Sequence, residues 1–133
     1  MERLTTFEAN RLVAWLLNFE HETRERVDLY DALERMRVEC AHWTTMARYG
    51  ETRRPLDGPA VYTVNVKAMP ALENWSSAPT GLVELSADGQ SVLAESAKRA
   101  LEHGWPTDDP PAWFRDERDA LLQTSLRLIC AAA

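Results

Sequence analysis

One apolar stripe limits more than any other feature what this chain can fold into. Leu29, Leu33, Met36, Cys40, Trp43 and Ala47 recur at steps of four and three, which lines them along one side of an α-helix. Neither Gly nor Pro occurs between residues 23 and 49, and Gly50 supplies the stop. A helix over that span would be roughly 40 Å long. Arg24, Arg26, Arg35, Arg37 and Arg48 are interspersed with Glu and Asp on its other faces, the pattern of a solvated surface. The rest of the chain has to be arranged around that rod.

Before it, Thr6, Phe7, Glu8 and Ala9 open a first helix with a threonine cap and an acid in the first turn. Ala9, Leu12, Val13, Leu16, Leu17 and Phe19 form its broad apolar face, with Trp15 at the edge, and the helix should end near Glu22. After the rod, Glu51 to Ala60 is a loop, because Pro55, Gly58 and Pro59 forbid regular structure. VYTVNVKAM, Val61 to Met69, alternates in β-prone residues and predicts a strand. Pro70 to Thr80 is a long connection, and GLVELS, Gly81 to Ser86, is a second strand that can pair with the first.

A third helix follows from the Asp88-Gly89 turn signal, with Val92, Leu93, Ala97, Ala100 and Leu101 as its apolar face and Gly104 as its end. WPTDDPP is a linker. Asp109 before Pro110 suits the start of a fourth helix that buries Phe114, Leu121, Leu122, Ser125, Leu128 and Ile129. The expected order is α-α-β-β-α-α. It describes a mainly α protein with a small β-hairpin, arranged as a winged-helix-like domain or as a helical bundle with a β-arm.

The chain's 133 residues suit one domain spanning 1–133, with enough length to bury a core without metal or disulfide staples. No apolar run reaches the roughly 18 residues needed to cross a bilayer. The start lacks a basic segment and a small-residue cleavage site, so the expectation is a cytoplasmic protein. Cys40 and Cys130 lie among apolar residues and read as buried, inert thiols. The net charge of −6 resides almost wholly in the second half: residues 1–67 carry ten basic and eleven acidic groups, residues 68–133 five and ten. Contact with nucleic acid would therefore need a local basic patch.

Catalytic constellations are missing. Glu39 and His42 match one Glu-x-x-His step, but no second copy exists to complete a di-metal site. No serine occupies a Gly-x-Ser-x-Gly elbow, and the five glycines form no phosphate loop. The acids Asp108, Asp109, Glu20 and Glu22 read as caps and surface groups. The expectation is a non-catalytic protein without metal or cofactor.

Two sets of residues are candidates for binding. Arg48, Arg53, Arg54 and Lys67 surround the loop before the first strand and could contact phosphates. Trp75, in a polar connection, and Trp105 and Trp113, flanking the proline-rich linker, suit a protein interface.

Three segments carry a family resemblance. LTTFEANRLVAWLL, Leu4 to Leu17, resembles the opening helix of many bacterial winged-helix regulators. VELSADGQSVLAESA, Val83 to Ala97, is similar to the last wing strand and following helix of MarR- and PadR-like repressors. DDPPAWFRDERDALLQTSLRL, Asp108 to Leu128, looks like a helix appended to such domains. The segments cover about 50 residues, and each motif is short. A winged helix also needs a separate recognition helix before the wing, whereas VDLYDALERMRVECAHWTTMARYGE reads as one helix. The resemblance implies a regulator that binds DNA, with Lys67 on the wing and a homodimer formed through the third and fourth helices. The alternative is a protein-binding inhibitor, antitoxin-like or phage-encoded against a host factor, which the acidic second half and the tryptophans would suit.

Overall fold

The computed structural model describes residues 3–49, 63–68, 81–104 and 112–132. Its elements are β1 (Arg3–Thr5), α1 (Thr6–Thr23), α2 (Val27–Tyr49), β2 (Thr63–Ala68), β3 (Gly81–Leu85), α3 (Ala87–Glu102) and α4 (Ala112–Ala132). The chain is mainly helical, as its periodicity predicts, and α2 is one continuous helix. Among the described residues no separate recognition helix stands between α1 and β2.

Among the described residues the sheet holds one strand more than the sequence led us to expect. β3 is central in the order β1-β3-β2 and antiparallel to both neighbours. Leu4 lies opposite Val83, and Val66 lies opposite Val83 on the other side. A bulge interrupts the β2 register between Thr63 and Asn65. The expected hairpin pairing of β2 with β3 is present, but the order is β-α-α-β-β-α-α.

Because Leu4 and Thr5 belong to β1, the cap of α1 moves back from Thr6 to Thr5. Glu8 N–H donates to Thr5 Oγ1 at 3.1 Å, and Thr5 N–H donates to Glu8 Oε1 at 3.0 Å. These reciprocal bonds satisfy donors that the first turn would leave orphaned. The second carboxylate oxygen of Glu8 accepts from Thr124 Oγ1 at 3.3 Å and lies 3.5 Å from Arg127, so the cap also ties α1 to α4.

α1 and α2 form an αα-hairpin around the short connection 24–26. Arg24 stops α1 in the left-handed conformation, φ 56° and ψ 21°, with its N–H bonded to the Glu20 carbonyl. That break makes α2 begin at Val27, later than the unbroken pattern from residue 23 suggests. Ser86 caps α3 by accepting from Gly89 N–H at 3.1 Å, and Gly104 follows the helix at φ 83°, the left-handed stop its sequence position predicts.

A shared core draws on β1, α1, α2, β3, α3 and α4. Leu4, Leu12, Leu16, Leu33, Met36, Val83, Leu85, Leu93 and Leu128 are fully shielded within it. β3 therefore belongs to the core. Trp15, placed by periodicity at the edge of α1, is buried, while Leu17 is only partly so. Phe114, Cys40, Trp43 and Ala47 have side chains outside the described set. Cys130 corrects the expectation of a buried thiol: it is exposed. The core stripe of α4 runs through Leu121, Thr124, Ser125 and Leu128, and a residue two positions beyond Leu128 faces the opposite side of the helix.

Candidate functional site

The structure places the expected phosphate-contacting residues only in part. Arg48 stands in the last turn of α2 and Lys67 near the end of β2, and these two elements pack together. The side chains of both, and all of Arg53 and Arg54, lie outside the described residues. Trp75 and Trp105 lie outside them too, and Trp113 is placed by its backbone in the first turn of α4.

A face that sequence reasoning missed is defined in full. Two open hollows, of about 390 and about 420 Å³, lie along the outer side of the α1–α2 hairpin. Glu20, His21, Arg24, Arg26, Val27 and Tyr30 line the first; Ala14, Leu17, Asn18, His21, Tyr30 and Arg37 line the second. His21 and Tyr30 belong to both, with ring centroids 5.8 Å apart and planes inclined by 37°. Val27 at one end is 67% exposed, and Val38, three turns along α2, is 52% exposed. A signal for this face was present in the sequence. Ala14, Leu17 and His21 recur at helical spacing on α1, opposite Tyr30 and Arg37 on α2.

Behind the first hollow sits a buried polar node. Glu20 is only 1% exposed, which corrects its assignment as a surface acid. Ser96 Oγ donates to its Oε2 at 2.9 Å, and the Arg99 guanidinium donates to both carboxylate oxygens at 3.3–3.4 Å. Arg99 also reaches Glu25 at 3.2 Å and lies over the Phe19 ring, 5.9 Å from its centre. Burial alone would lower the Arg99 pKa, but the bonds and charge of Glu20, with those of Glu25, outweigh it and raise it. His103 closes the corner, its ring T-shaped against that of Phe19 with centroids 5.3 Å apart and its Nδ1 2.8 Å from the Arg99 carbonyl oxygen. A buried acid held this way is a positioning device: it fixes α1 against α3.

Two of the arginines that line the hollows, Arg26 and Arg37, are matched by carboxylates of the chain itself. Arg26 grips Asp28 through two bonds of 2.9 and 2.7 Å and Glu95 through a third of 2.8 Å. The Asp28 bond, then that of Glu95, raises the Arg26 pKa, and Arg26 in turn holds Asp28 down at about 2. Arg37 is bonded to Glu34, whose pKa it lowers. Glu39 of the Glu-x-x-His step is buried, but the His42 side chain lies outside the described residues. Among the described residues no three His, Cys, Asp or Glu side chains gather to hold a metal ion, and no helix is long and apolar enough to cross a membrane.

No protein-family model matches this chain, and neither a curated protein nor a solved structure matches it.

Proposed function

We propose that this chain is a small, non-catalytic regulatory protein that works by binding another protein on the outer face of the α1–α2 hairpin. The single observation that carries this reading is the pair of hollows joined at His21 and Tyr30, flanked by the exposed Val27. An aromatic ring beside exposed aliphatic carbon offers apolar area at small entropic cost, the usual anchor of a protein contact. The charge pattern supports the same choice. Arg26, Arg37, Arg99 and Arg127 each pair with a carboxylate of the chain, and the net charge is −6. Basic groups neutralised in place add little to a phosphate-binding field.

A second reading keeps nucleic acid as the partner. It draws support from the packing of α2 against β2, which sets the helix bearing Arg48 beside the strand bearing Lys67; the segment with Arg53 and Arg54 joins them. A winged-helix-like mode of binding would have to use α2 itself, in a homodimer built through α3 and α4. Fluorescence anisotropy of a labelled random duplex pool separates the two readings. The protein-binding reading expects no association even at low salt. Micromolar binding that weakens steeply with salt, and is lost in Arg53→Glu/Arg54→Glu, would replace it with the nucleic-acid reading.

A further inference from the structure

We draw no further inference here: the strongest candidate, the exposed stripe of α2 from Val27 to Val38 beside the α1–α2 hollows, has Asp31 and Glu34 between its two valines, where a second copy would have to pack, and nothing in the structure shows what covers it.

Discussion

Ser96 of α3 donates a hydrogen bond of 2.9 Å to Glu20 of α1, in a contact from which solvent is almost wholly excluded. Glu20 thereby carries its charge into the core, where Arg99 balances it. Removing one partner of such a pair strands the other. Glu20→Ala should therefore cost on the order of 3 kcal/mol, the low end of the range for broken buried pairs because Arg99 keeps Glu25 and some access to water. Glu20→Gln should cost about 1 kcal/mol, since the amide oxygen still accepts a bond. Urea unfolding checks both; equal losses in the two variants would contradict the charge-pair account.

Asp28 offers a test by pH. Its folded value of about 2 lies below its ordinary value of 3.8 because Arg26 bonds the charged form. A depressed carboxylate stabilises the fold above its unfolded value, and that contribution disappears as pH falls through the folded one. The window is therefore about pH 4 down to about pH 2. Carboxyl NMR should find the Asp28 midpoint near 2 in the parent chain and near 3.8 in Arg26→Met. A parent midpoint already near 3.8 would show that the Arg26–Asp28 bonds do not persist in solution.

Arg24 occupies a left-handed backbone position where a side chain is disfavoured and glycine is not. Arg24→Gly should raise stability by about 0.5–1 kcal/mol, and Arg24→Val should lower it by at least as much, because branching at Cβ is worst tolerated there. Thermal melts of the two variants should move in opposite directions. Because Arg24 lines the first hollow, the glycine variant also removes a cation from the proposed docking face without weakening the fold.

Ser125 is fully buried on α4, and its hydroxyl has no hydrogen-bond partner among the described residues. A polar atom shielded in this way costs free energy that an alanine would not. Ser125→Ala should be neutral or stabilising by about 1 kcal/mol in the same urea measurement. A loss above that size would mean that the hydroxyl has a partner in solution.

Elements whose signal is repetition were legible in the sequence. The α2 stripe names its own helix, and β-alternation plus turn residues located β2 and β3. β1 escaped because three residues, Arg3 to Thr5, contain no period to detect, and the strand exists only through its pairing with β3. Glu20 escaped because its chemistry suggested surface. Its position says otherwise: Leu12, Leu16 and Glu20 follow one another at steps of four on the core side of α1. Its partners Ser96 and Arg99 lie 76 and 79 positions away, a pairing that local spacing cannot reveal. The α1–α2 face went unread for a related reason, since it takes shape only when two helices lie side by side.

The most direct test of the central claim is site-specific photo-crosslinking in cells that naturally make the protein. A photoreactive residue would be placed singly at Val27, at Tyr30, and at Leu126, which is 42% exposed on α4. The account predicts a discrete adduct with a different protein from positions 27 and 30 and none with that protein from position 126. Adducts only from position 126, or only at twice the chain's own mass, would contradict docking on the α1–α2 face and favour self-association through α4.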